Sequence, residues 1–168
     1  SAITITKGIH NDDYKIEQTS KNIDGDTQKP LDIFSDRTLL NSLKVKDVAG
    51  YCSEEQEGLV SINEDGKFVV VTDPLDGSSN IEANVSIGTI FSILPTNGLK
   101  LQEAIFQQGN KQVCSGFFVY GPRTTLFLTF KNGTHSFFLN YNSNQFELLH
   151  KDILISESTS EYSINSSY

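Results

Sequence analysis

The sequence predicts an α+β domain, with helical segments first and then a mainly antiparallel sheet of about six strands. Three observations carry that expectation. "LDIFSDRTLLNSLK" (31–44) spaces Leu39, Leu40 and Leu43 for one helical face and puts Asp32 near the start, where the helix dipole favours an acid. After it, short β-branched and aromatic runs recur, separated by turn dipeptides. No internal repeat, low-complexity tract or linker divides the 168 residues, so one domain over 1–168 is expected.

The elements follow in order. Residues 1–24 have a few apolar positions without a clean period and read as partly helical. After the 31–44 helix, "VKDVAGYC" reads as a short strand. Residues 60–62 and 67–72 flank "NEDG", whose Asp-Gly predicts a hairpin joining them. "NVSIGTIFSILP" alternates, with Val85, Ile87, Thr89, Phe91 and Ile93 on one face of a half-buried strand. "GLKLQEAIFQQGN" reads as a short helix or an irregular loop. Residues 112–120, 124–130 and 135–139 are further strands, parted by Gly-Pro and Asn-Gly, and "NQFELLH" is another.

Composition narrows the function classes. At 37% hydrophobic and 10% aromatic the chain is globular. A net charge of −8 disfavours nucleic acid and anionic membrane as partners, and no apolar run approaches a membrane span. An acidic protein that binds an anion needs a local device, such as a cation or clustered backbone N–H groups. Cys52 and Cys114 suggest neither a disulfide framework nor a zinc site, and His10, His135 and His150 lack ligand spacing. With no signal peptide at the start, a reduced, soluble protein of the cytoplasm is expected.

The chemistry concentrates in "VVVTDPLDGSSN" (69–80). The valines read as a buried strand, with Asp73 and Asp76 at its end. Pro74 cannot continue the ladder and turns the chain. Gly77 permits a left-handed backbone, after which Ser78 and Ser79 can begin a helical turn with N–H groups free for phosphate oxygens. Carboxylates beside an anion-binding turn repel the anion unless a divalent cation lies between them. Mg²⁺ is bound in that way, by one or two carboxylates plus substrate phosphates. The pattern also reads as an Asp-rich turn with a serine cap. Glu54-Glu55 reads either as a metal ligand and a base or as a solvated pair. Asp32 and Asp26 taken alone read as a helix-start residue and a turn residue.

"DPLDGSSNIEANVSIGTIFSI" resembles the signature segment of the fructose-1,6-bisphosphatases, a class that also resembles the inositol monophosphatases. "GDTQKPLD", "SEEQE", "GNKQVCSGFFVYGPRTTLFLTF" and "YSINSSY" resemble further blocks of that family, in its order and spacing, from about Asn22 to the last residue. The resemblance implies the N-terminal domain of the sugar phosphatase fold. It implies hydrolysis of the 1-phosphate of fructose 1,6-bisphosphate with Mg²⁺, for which Mn²⁺ or Zn²⁺ can substitute. By match to the motifs, Asp73, Asp76 and the Leu75 carbonyl would be metal ligands, and Glu54 would bridge metals. Glu55 with Asp32 would take a proton from the attacking water, and Asp26 would support the metals or activate the water. Gly77, Ser78 and Ser79 would cradle the 1-phosphate next to Asp76. Asn165 and Tyr168 would bind the 6-phosphate. Members form homotetramers.

The chain departs from the family in length and detail. Members continue past "SINEG" into a second half that supplies another acidic ligand and sugar-phosphate contacts, whereas Tyr168 is the last residue here. Pro30 stands for a second lysine, and Ser166-Ser167 for Glu-Gly. Residues 1–24 match the AMP-site helices poorly. The alternatives to a working enzyme are a truncated homologue that binds metal and phosphate without turnover, and one that serves only as a packing subunit. An inositol-monophosphatase-like activity is opposed by the serine-containing loop.

Overall fold

The computed structural model describes residues 1–11, 14, 20, 21 and 27–161, with backbone alone at 20, 21, 27 and 28. Helix α1 (Ala2–Asn11) opens the chain. Two short strands, β1 (Ser20–Lys21) and β2 (Thr27–Gln28), pair antiparallel. Helix α2 (Pro30–Ser42) follows at the expected place. Pro30 fills its first turn, where no backbone N–H partner is needed. The Asp32 carboxylate accepts the Lys29 backbone N–H at 2.7 Å, which secures the helix start.

The main sheet contains β3 (Val48–Ser53), β4 (Val60–Ser61), β5 (Phe68–Asp76), β6 (Ile87–Pro95), β7 (Cys114–Tyr120), β8 (Thr124–Thr129), β9 (Thr134–Asn140) and β10 (Gln145–His150). Their order is β10-β9-β8-β7-β6-β5-β3-β4. A short helix α3 (Leu101–Ile105) lies between β6 and β7. The α+β class holds, but the sheet has eight strands where about six are expected, because every segment read as a strand, the short β4 included, joins one ladder. It is also mixed, since β3 runs parallel to β5 while the other neighbours are antiparallel.

The expected hairpin between 60–62 and 67–72 does not form, because β3 lies between the two segments. The turn itself is present, with the Gly66 N–H donating to the Asn63 carbonyl at 2.9 Å. It carries the chain across the start of β3. A Cβ on Gly66 would lie 2.3 Å from the Ala49 nitrogen, so only glycine permits that crossing.

Successive valines of β5 face opposite sides of the sheet. Val70 joins Leu31 and Leu39 of α2, Ile5 of α1, Tyr51, Ile87 and Tyr120 in the main core. Val69 packs with Leu94 and with Ala104 of α3 on the other face. Val85 was expected to share the face of Ile87, but it lies outside β6 and is 57% exposed. Among the described residues no helix is long and apolar enough to cross a membrane.

Candidate active site

The DPLD segment does not leave the sheet at Pro74 as expected; β5 continues through it to Asp76. Its pairing with β6 shifts there, from Asp73 opposite Ile90 to Asp76 opposite Gly88. Pro74 and Leu75 thus face Thr89 alone, which is a β-bulge. The missing Pro74 N–H is tolerated at a bulge. The Pro74 carbonyl accepts the Thr89 hydroxyl at 2.8 Å. Without the extra residue, two positions three apart would point to opposite faces. With it, Asp73 and Asp76 share one face.

That face is the one turned away from α2. Asp73 borders a cleft of about 490 Å³ there, lined also by Val71, Ile90, Phe117 and Phe127. The Leu75 side chain is buried in the main core and anchors the segment between the two aspartates. Past Asp76, Gly77 takes φ +80°, and Ser78–Asn80 form one 3-10 turn. The Asn80 N–H donates to the Gly77 carbonyl at 2.8 Å. Gly77 and Ser78 are half-buried and Ser79 is exposed.

The parallel pairing of β3 with β5 brings in the second acidic element. Ser53 lies opposite Thr72, so Glu54 leaves β3 beside Asp73. The Glu54 N–H donates to the Thr72 carbonyl at 3.3 Å, and the Glu55 N–H to the Ser53 hydroxyl at 3.2 Å. Asp32, at the start of α2, supplies the third element. Its Oδ2 accepts the Lys29 amide, while Oδ1 is buried without a hydrogen-bond partner.

Charge couples these groups to one another. Burial, followed by the charge of Glu54 and then of Asp76 and Glu55, pushes the Asp73 carboxyl up to about 7, against one opposing hydrogen bond from the Leu75 N–H. Burial also raises Asp32. The Lys29 amide and ammonium and the Ser78 side chain oppose that rise, and Glu54 adds to it. Glu54 is therefore the neighbour that Asp32 and Asp73 have in common.

Five residues of the arrangement lie outside the sequence-based candidates. Lys29 donates its ammonium to the Ser78 carbonyl at 2.9 Å and braces the Gly-Ser-Ser turn. Thr89 holds the bulge, and the buried Asp36 and Tyr51 form a cluster with the half-buried Gln56 behind the Glu-Glu turn. The lysine directly before a Pro-started helix was a local signal for the first of these. The others depend on pairings between distant segments. Of the expected residues, Asp32, Glu54, Glu55, Asp73, Leu75, Asp76, Gly77, Ser78 and Ser79 gather at one end of β3 and β5. Asp26, Asn165 and Tyr168 lie outside the described residues.

Among the described residues, no three Asp, Glu, His or Cys side chains stand close enough to enclose a metal ion by themselves. The donor chemistry nonetheless suits a hard divalent cation. The donors are all oxygens, one buried carboxylate oxygen lacks a partner, and the carboxylates repel one another. Mg²⁺ keeps several waters and takes one or two carboxylates plus phosphate oxygens, so it needs no closed protein cage.

Comparison with known proteins bears on the family and the fold. Residues 14–151 match the family model "Fructose-1-6-bisphosphatase, N-terminal domain". The fructose-1,6-bisphosphatase class 1 of Neisseria meningitidis serogroup A is 44% identical over 148 residues, which cover 87% of this chain and 45% of the relative. That of Shewanella halifaxensis is 44% identical over 149 residues, covering 88% and 45%. The crystal structure of Leishmania major fructose-1,6-bisphosphatase in holo form superposes with a TM-score of 0.85 at 32% identity, over 95% of this chain and 53% of that one. The chain thus spans about half the length of the curated relatives it matches. With its acids gathered at the ends of β3 and β5 and its sequence matched over most of its length, the chain belongs to the fructose-1,6-bisphosphatase family, as the N-terminal domain of that fold.

Proposed function

We propose that the chain carries the metal- and phosphate-binding half of a phosphatase that removes the 1-phosphate of fructose 1,6-bisphosphate, giving fructose 6-phosphate and phosphate. The observation that carries this reading is the convergence of Asp32, Glu54, Asp73 and Asp76 beside the Gly77-Ser78-Ser79 turn. Four acids next to an anion-binding turn are mutually unfavourable unless cations join them to the anion. Asp73, Asp76 and Glu54, with the Leu75 carbonyl, would hold Mg²⁺, or Mn²⁺ or Zn²⁺ in its place. A bound divalent cation lowers the pKa of water and offsets charge on the phosphoryl oxygens.

The chain's own groups do the remaining work. The Gly77–Ser79 turn offers backbone N–H groups and hydroxyls to the phosphate, and Lys29 fixes that turn from behind. Asp32, raised by burial, is a better proton acceptor for water at neutral pH than an ordinary aspartate, and Glu55 stands on the neighbouring turn to share that role. Asp26 would support the cations, and Asn165 and Tyr168 would contact the 6-phosphate. The reading includes a cytoplasmic setting and assembly into a homo-oligomer.

A second reading is favoured by the shared length, 45% of the curated relatives. In it the domain binds metal and phosphate but turns over only with the contacts that the rest of those proteins supply. The deciding experiment is phosphate release from fructose 1,6-bisphosphate with Mg²⁺ or Mn²⁺, using this chain and Asp73→Asn. Release lost in the variant supports the first reading. Metal-dependent substrate binding without release supports the second. Neither binding nor release in folded protein rejects both.

A further inference from the structure

Behind the Glu54-Glu55 turn lies a buried carboxylate that the reaction does not use. Asp36 is 4% exposed and sits one turn beyond Asp32 on the same face of α2. Both of its oxygens are engaged. Oδ1 accepts the hydroxyl of Tyr51, which is 0% exposed, at 2.8 Å, and Oδ2 accepts the Gln56 side-chain amide. A buried charge without such donors would be costly, so this carboxylate ties α2, β3 and the turn into one unit.

The turn needs such a tie. Glu54 is exposed and Glu55 half-buried, so packing contributes little there. Its backbone bonds are long: Glu54 N–H to the Thr72 carbonyl and Gln56 N–H to the Ser53 carbonyl at 3.3 Å, and Glu55 N–H to the Ser53 hydroxyl at 3.2 Å. The contact from Asp36 to Gln56 joins the residue directly after the glutamates to the helix that also carries Asp32.

We propose that Asp36 is a positioning residue that, through Gln56 and Tyr51, sets the Glu54-Glu55 turn against Asp32 and Asp73 for cation binding. This rests on the metal-dependent reading above. Asp36 can only accept hydrogen bonds and the Gln56 amide nitrogen can only donate them. Gln56→Glu sets two carboxylates against each other. Asp36→Asn with Gln56→Glu exchanges acid and amide, restoring one donor and one acceptor and leaving an amide oxygen for Tyr51.

The test compares the chain, Gln56→Glu, the exchanged double variant and Asp73→Asn. Mn²⁺ binding is followed by loss of the free-ion electron paramagnetic resonance signal, and the amides of residues 54–56 by hydrogen exchange. Gln56→Glu is expected to weaken Mn²⁺ binding by about 10–100-fold and to speed exchange in the turn, and the double variant to reverse both. Unchanged or tighter Mn²⁺ binding in Gln56→Glu overturns the proposal. So does a double variant that regains melting temperature but not Mn²⁺ affinity, since the cluster is then only structural. If Gln56→Glu does not fold, Gln56→Ala removes the donor without adding charge and is read against the same expectations. If the chain and Asp73→Asn bind Mn²⁺ alike, the metal-dependent reading fails. The clamp then stands or falls on the exchange data, with faster exchange reversed by the double variant supporting it and no change overturning it.

Discussion

Asp73 has two consequences that can be measured without substrate. In the metal-free chain it keeps its proton until about pH 7, whereas an unfolded aspartate releases it near 4. Unfolding between those values therefore releases a proton, and stability falls as pH rises through that window. Asp32, also raised, acts in the same direction. Thermal melts in chelator should show a lower melting temperature at pH 8 than at pH 5, with a shallower slope in Asp73→Asn. Equal slopes in the two proteins would count against the crowding of carboxylates described above. Gly77 is the neighbouring test of backbone shape. At φ +80°, with the Asn80 amide 3.3 Å from where a Cβ would sit, Gly77→Ala should cost about 1–2 kcal/mol in urea denaturation. Both positions were legible in the sequence, because DPLDGSS concentrates two acids, a proline and a glycine in seven residues. Asp36 was not. It lies one turn from Asp32 on α2, and its partners Tyr51 and Gln56 come from other segments, for which no short-range pattern exists.

At the scale of elements, the bulge in β5 makes the DPLD spacing productive, and Thr89 holds it. The Thr89 hydroxyl bonds the Pro74 carbonyl at 2.8 Å and the Tyr120 hydroxyl at 2.9 Å, all in the buried interior. Thr89→Val keeps the shape but strands both partners, and should destabilise by about 1–3 kcal/mol. Chemical denaturation of the metal-free variant checks this, and a cost near zero would mean that the carbonyl is satisfied in another way. Most elements could be read locally. The leucine spacing marked α2, alternation marked β6, and β-branched and aromatic runs between turn dipeptides marked β7 to β10. The hairpin expectation failed for a physical reason. Asn-Glu-Asp-Gly specifies a reversal of the chain, but not which strand receives the returning segment. The insertion of β3 depends on parallel pairing with the valine run and on the close approach at Gly66, neither of which has a short-range signature. The β5 bulge was hidden similarly, since a proline after a valine run also reads as the end of a strand.

For the whole molecule, a cation that binds only the folded chain shifts the global unfolding equilibrium. At about a hundred times its Kd, Mn²⁺ should stabilise the domain by about 2.7 kcal/mol. A melting temperature that rises with Mn²⁺ in the chain and not in Asp73→Asn is the expected result, and equal rises would point to binding elsewhere. The parallel neighbours β3 and β5 carry a kinetic consequence as well. Glu54 and Asp73 meet only after β3 has been enclosed between β4 and β5, a step that closes a loop and has no local shortcut. A helix and hairpins such as those of β7 to β9 can form from nearby residues, well before that enclosure. In a refolding experiment the capture of Mn²⁺ would therefore mark the moment at which the edge of the sheet acquires its native thread.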